Sequence, residues 1–160
     1  GRDYPTVIVG RGDQHDALVA QAKQLGLTNL HFVPEVTNDE KRSLMRAAYG
    51  FVFPSHMPSE AFGIVLAEAA QQGTPMITCE IGTGTSYVNL DGVTGLVVPP
   101  SDAQSFGHAL DTFWQQPEQV QVWGQQALVR YQETFKAETM AQKYMAAYGE
   151  LLAAPDQSRI

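Results

Sequence analysis

The chain has 160 residues, of which 44% are hydrophobic and 17% charged, with a formal net charge of −7. That length fits one domain able to bury about 70% of its unfolded surface, and the composition is globular rather than disordered. The acidic balance argues against nucleic acid and anionic membrane surfaces as partners, no apolar run approaches the ~18 residues of a membrane span, and GRDYPTVIVG lacks the basic start and long apolar core of a signal peptide.

Thr6–Val9 (TVIV) reads as the first strand, and its nearness to the first residue suggests a piece cut from a longer protein. Gly10-Arg11-Gly12 follows as a tight turn, which either brings backbone N–H groups near an anion or is structural only. Residues 13–25 place Leu18, Val19, Ala22 and Leu25 at helical spacing. Leu30–Val33 (LHFV) is the second strand. Residues 38–48 form the second helix, with Asn38 as its N-cap. The third strand, 50–53 (GFVF), leads into PSHMPSE, where two prolines in seven residues fix an irregular loop. A helix over 62–72 comes next, then a strand at 75–79 (PMITC). The small residues Gly82-Thr83-Gly84-Thr85-Ser86 read as a loop, and Asp91-Gly92-Val93-Thr94-Gly95 as a turn into the fifth strand, Gly95–Val98 (GLVV). Ser101-Asp102 opens a helix over 102–115. From about residue 117 the pattern is all-helical, over 117–131 and 137–152, with Phe135, Tyr144, Tyr148, Leu151 and Leu152 as apolar packing faces.

Short apolar strands without alternation, separated by helices, predict strands buried on both faces. The fold class is α/β, a Rossmann-like parallel sheet with helices on both faces. Residues 1–116 would form that part, and 117–160 would be helices packing on it. Cys79, the single cysteine, excludes an internal disulfide and a cysteine zinc site. It reads as a buried, inert thiol, consistent with a reducing cytoplasm.

In a doubly wound sheet, ligands bind outside the carboxyl ends of the strands, and the informative motifs lie there. The helix after the third strand begins near 61–63, and its first N–H groups carry a partial positive charge. Gly63 there removes a side chain, so a phosphate could approach the backbone. No lysine or arginine occurs from 47 to 129, which leaves the amides much of that work. Glu60 and Glu68 stand eight residues apart. Eight helical residues advance about 12 Å and turn a net ~80°, so a diphosphate at the helix mouth could lie between them. Each carboxylate could accept from the hydroxyls of a ribose or a sugar. Spacing alone fits two plain surface glutamates equally well, with Glu60 favouring the helix dipole. The Gly82–Ser86 segment is either a loop pressed on phosphate or a connector. His56 either touches a ligand or packs within its loop. There is no Asp-x-Asp, no GxxxxGK[ST], no GxSxG and no histidine pair at metal-ligand spacing.

The run FVFPS…SEAFGIVLAEAAQQGTPMI, then GTGTSYVNLDGVTGLVVPP, resembles the C-terminal half of GT-B glycosyltransferases, within glycosyltransferase family 4. The resemblance covers nearly the whole chain, from VIVGRGD through LHFVPEV to the final helices. It implies retaining transfer of a sugar, a hexose with mannose as the leaning, from a UDP- or GDP-sugar donor, with no cofactor and no metal. Glu60 matches the catalytic first glutamate of the E-x7-E motif, beside the donor sugar, and Glu68 matches the second, on the ribose. Phe62, Gly63 and Ile64 match the helix start whose amides meet sugar and phosphate. Gly82, Thr83 and Gly84 fall on a phosphate-side glycine loop, and Glu35 and Val36 fall where the nucleobase packs. The family often has Gly at Pro34-Glu35, Ala-Asp where Ala48-Tyr49-Gly50 stands, and a glutamate at Tyr87-Val88. Its diphosphate-binding Arg and Lys would precede this chain, and Arg2 is not that arginine. The acceptor, a glycan or lipid, would be bound by a missing N-terminal domain. The resemblance further implies a cytoplasmic protein with room for peripheral membrane contact in its full-length form. A nucleotide-sugar epimerase or phosphorylase of the same architecture and a non-catalytic nucleotide-binding module are the other readings.

Overall fold

The computed structural model describes residues 4–153. Arg2, and the part of the expected C-terminal helices beyond 153, lie outside the described residues. The chain forms two compact units that divide between Ser43 and Leu44.

The first unit holds β1 (Thr6–Val9), α1 (His15–Gln24), β2 (Leu30–Val33) and most of α2 (Asn38–Ala47). β1 and β2 pair in parallel, Thr6 opposite Leu30 and Val9 opposite Val33. The expectation that every strand is buried on both faces fails here. Val7, Ile8 and Val9 are 47%, 38% and 44% exposed, and Ala22 is the one residue of α1 that is buried. Two strands and short helices have too little apolar surface to enclose a sheet. The cap of α2 is also corrected, from Asn38 to Thr37. Thr37 Oγ1 accepts from the N–H of Glu40 at 3.2 Å, and the Glu40 carboxylate accepts from the Thr37 N–H at 2.7 Å. TNDE is a capping box, read one residue late.

The second unit holds β3 (Phe51–Phe53), α3 (Ile64–Gln71), β4 (Met76–Cys79), α4 (Thr85–Val88), β5 (Gly95–Val98), α5 (Ala103–Gln115), α6 (Pro117–Arg130), a π turn (Tyr131–Phe135) and α7 (Ala137–Ala153). Its sheet runs β3-β4-β5, all parallel, with Phe51 opposite Met76 and Met76 opposite Gly95. All four residues of β4 are buried, as a central strand covered on both faces requires. Met76 packs with Leu66, Ala69 and Ala70 of α3. Ile77 and Cys79 point the other way, onto Ala109 and Phe113 of α5 and Trp123 of α6. Helices therefore cover both faces, and this parallel α/β architecture is the expected one. α6 packs its Val120, Trp123, Gly124 and Ala127 inward. On α7, Tyr144, Tyr148, Leu151 and Leu152 are exposed. No helix among the described residues is long and apolar enough to cross a membrane.

A buried polar cluster ties β4 to the start of β5. Asn89, fully buried, donates to Thr78 Oγ1 and to the Leu96 carbonyl, both at 3.0 Å. Its Oδ1 accepts from Thr94 Oγ1 at 2.8 Å, and the Leu90 N–H donates to that same hydroxyl at 2.8 Å. The end of α4 is thereby tied to β4 and β5 through satisfied groups that would be costly to strand.

Candidate functional site

Because β3 and β4 run in parallel, the segments after Phe53 and after Cys79 leave the sheet at the same edge. The first carries PSHMPSEAFG. Pro58 takes the second position of a turn closed by the Glu60 N–H donating to the Met57 carbonyl at 3.1 Å. Glu60, half-buried, then bends back so that its Oε1 accepts from the Gly63 N–H at 2.9 Å. The acid thus holds the N–H of Gly63, the residue just before α3, where the helix field favours a negative charge. Gly63 adopts φ 73° and ψ 60°, the left-handed region. A Cβ there would stand 2.9 Å from Leu66 Cδ1, so the left-handed backbone and the packing of Leu66 both favour glycine.

Helix α3 begins at Ile64, two residues later than the pattern suggested, so Phe62 lies in the loop and Gly63 at the cap. Ile64 is 72% exposed. Glu68, half-buried, follows it by four residues and shares its flank of the helix. Glu60 is thus at the helix mouth and Glu68 one turn in, at one end of one element. The N–H of Gly63 is already taken by Glu60. The next groups of the opening turn, those of Ile64 and Val65, have no carbonyl upstream within the helix.

The segment expected as a loop over 82–86 is a glycine turn followed by the short helix α4. Its hydroxyls are less open than expected: Thr85 is 1% exposed, and Ser86 Oγ donates to Glu80 Oε1 at 3.2 Å. Gly82 is exposed, and a Cβ on it would meet nothing within 4 Å. Thr83 is half-buried. Gly84 joins the two segments. Its N–H donates to the Ala61 carbonyl at 2.9 Å, and a Cβ on it would lie 2.5 Å from the Phe62 ring. The Glu60–Ile64 and Gly82–Gly84 stretches, distant in sequence, are in direct contact. His56 is exposed on the first of these loops.

Glu80 was missed. Its Oε1 accepts from the Gly82 N–H at 2.9 Å as well as from Ser86, so one carboxylate oxygen closes the glycine turn. The readable signal was an acid at a strand end, two residues before a glycine. Asn89 was missed too, because its partners lie on other strands. Glu35 and Val36 belong to the first unit, where Glu35 faces Arg11 at 3.5 Å with both side chains largely exposed, and Val36 is half-buried. Such an exposed pair contributes little. Cys79 is buried, and burial pushes its thiol above the ordinary range. Among the described residues, no group of three or more His, Cys, Asp or Glu could hold a metal ion.

Chemically, then, this edge offers carboxylates that can accept from hydroxyls and a helix mouth whose field favours negative charge. The chain is 51% identical over 137 residues to the D-rhamnosyltransferase WbpZ of Pseudomonas aeruginosa, covering 86% of this chain and 36% of that protein. It is 41% identical over 148 residues to the O-antigen chain mannosyltransferase C of Escherichia coli, covering 92% and 40%. The chain therefore spans less than half the length of these relatives. Among solved structures, Anabaena HepE in complex with UDP-glucose superposes with a TM-score of 0.78 at 23% identity, over 90% of this chain and 40% of that one. That likeness is one of fold, the GT-B fold. The family model described as glycosyl transferases group 1 matches residues 1–130. With most of its length inside that match, the chain belongs to the glycosyl transferases group 1 family.

Proposed function

We propose that the chain is the donor-binding part of a retaining, metal-independent glycosyltransferase of family 4, which transfers a hexose from a UDP- or GDP-sugar to a glycan or lipid-linked acceptor. The observation that carries this reading is the convergence at the mouth of α3. The Glu60 carboxylate is at the cap, Glu68 is one turn in, and the Gly82–Gly84 turn is hydrogen-bonded to the same loop through Gly84 and Ala61. The relatives' names, a rhamnosyltransferase and a mannosyltransferase, support a sugar donor, and the fold neighbour solved with UDP-glucose supports a nucleotide sugar.

In this reading the diphosphate lies against the open amides of the α3 turn, with Gly82 leaving it room. As the bond from the anomeric carbon to the phosphate oxygen breaks, negative charge grows on the departing diphosphate, and preoriented amides stabilise it without reorganising. Glu68 accepts from the ribose hydroxyls. Glu60 holds the transferred sugar through the oxygen that Gly63 does not occupy. His56 borders the site. The acceptor is met by a further domain of the longer protein, against which the exposed side chains of α7 pack. The setting is the cytoplasm, with peripheral contact at the membrane.

One observation favours a narrower role for Glu60: its bond to Gly63 already gives the carboxylate a structural task at the start of α3. Titration of the intact protein with UDP, GDP and their hexose conjugates tests the main reading. One nucleotide family is expected to bind, and Glu68→Ala to weaken it by about 2 kcal/mol, the scale of a hydrogen bond to a charged group. Unchanged affinity would remove Glu68 from the ribose.

A further inference from the structure

The helical run from Pro117 is interrupted by a single π turn, Tyr131–Phe135, closed by the Lys136 N–H donating to the Tyr131 carbonyl at 3.2 Å. Such turns are rare and concentrate at functional sites. This one has a geometric effect. In an α-helix, residues five apart point about 140° away from each other, whereas the i→i+5 bond of a π turn brings them nearer to one face. Arg130 and Phe135 are such a pair, and the guanidinium carbon lies 5.5 Å from the Phe135 ring centroid.

Both side chains reach the candidate site's supports. Arg130 donates from Nε to the Val88 carbonyl at 3.3 Å and from a terminal nitrogen to the Tyr87 carbonyl, and it sits 5.1 Å from the Tyr87 ring. These are the last carbonyls of α4, which have no helical partner and favour a cation. Phe135 stands edge-on to Tyr87, with centroids 5.8 Å apart, and edge-on to Phe62, 6.2 Å apart. Phe62 in turn lies against Gly84. One ring is thus wedged between the loop that precedes α3 and the helix that follows the glycine turn.

We infer that Phe135 and Arg130 are positioning residues for the donor. The π turn presents them together, and they set the spacing between the Glu60–Ile64 loop and the Gly82–Gly84 turn. This rests on the donor-binding reading above. Plain core packing is the competing account, and ring geometry separates the two. Phe135→Leu keeps apolar bulk but has no ring edge to present, while Phe135→Tyr keeps the ring.

The test is calorimetric titration of the intact protein with UDP and GDP, for wild type, Phe135→Tyr, Phe135→Leu, Arg130→Lys and Glu68→Ala, with melting curves alongside. Phe135→Tyr is expected to bind like wild type. Phe135→Leu and Arg130→Lys are expected to weaken the preferred nucleotide about tenfold, as small misplacements in a site do, with the Gly84 amide resonance shifted in both. Wild-type affinity in Phe135→Leu, with Glu68→Ala impaired, overturns this inference and leaves the donor site standing. If Phe135→Leu does not fold, wild-type affinity in Arg130→Lys overturns it instead. A folded wild type that binds neither nucleotide overturns both readings.

Discussion

Glu60 holds the Gly63 N–H with one oxygen, and its proposed catalytic duty falls to the other. Substitutions separate the two. Glu60→Gln keeps an acceptor for Gly63 and removes the charge. It is expected to melt close to wild type and to lose transfer by about 100-fold, the scale of deleting one stabilising group. Glu60→Ala removes the acceptor as well and should cost about 1 kcal/mol in a denaturant melt. Full activity in Glu60→Gln would leave Glu60 only its bond to Gly63. Asn89 is the matching case for stability. Asn89→Leu removes the buried amide that bonds the Thr78 and Thr94 hydroxyls and the Leu96 carbonyl. Urea unfolding should show a loss of roughly 2–3 kcal/mol. Glu60 was legible in the sequence because a motif surrounds it. Asn89 was not, because its bonds run to residues 78, 94 and 96 and only folding brings them together.

At the scale of the element, the caps carry the pH dependence. Asp102 opens α5, accepting from the N–H groups of Gln104 and Ser105 and from the Ser105 hydroxyl at 2.6 Å. The Ser105 hydroxyl first, and then its N–H, holds the Asp102 carboxyl below the usual range. A carboxyl lowered on folding stabilises the protein fully above its unfolded pKa of about 3.9 and loses that contribution as pH falls through the lowered value. Asp102→Asn keeps an acceptor at the cap without the titration. The melting temperature of wild type should therefore fall toward, or below, that of Asp102→Asn as pH drops below about 4. A constant gap from neutral to acid pH would refute this. Glu40 behaves alike at α2, lowered by its bonds to Thr37. Both caps were readable, Asp102 directly and Thr37 one residue off, since capping depends on neighbours in the chain. The π turn was not readable: residues 132–136 fall between the two expected C-terminal helices, and nothing in the local pattern shows that Tyr131–Phe135 joins them through an i→i+5 bond.

Across the whole molecule, protection is uneven. β4 is enclosed on both faces, whereas β1 leaves three of its four residues exposed. Native-state hydrogen exchange of the chain should find β4 amides among the slowest and β1 amides exchanging well before them. Equal protection would mean that β1 is covered by something beyond the described residues. The sequence by itself determined the order of the strands and of the longer helices, the parallel α/β class, the turn prolines and glycines, and the likeness to glycosyltransferases. Each of these is written in residues a few positions apart. Tertiary structure alone decided that Gly84 seats Phe62, that Asn89 ties Thr78 to Leu96, and that Arg130 and Phe135 both reach Tyr87. The reason is physical: a hydrogen bond or ring contact between distant positions exists only after the backbone has brought them within a few ångströms, and local pattern holds no record of that distance.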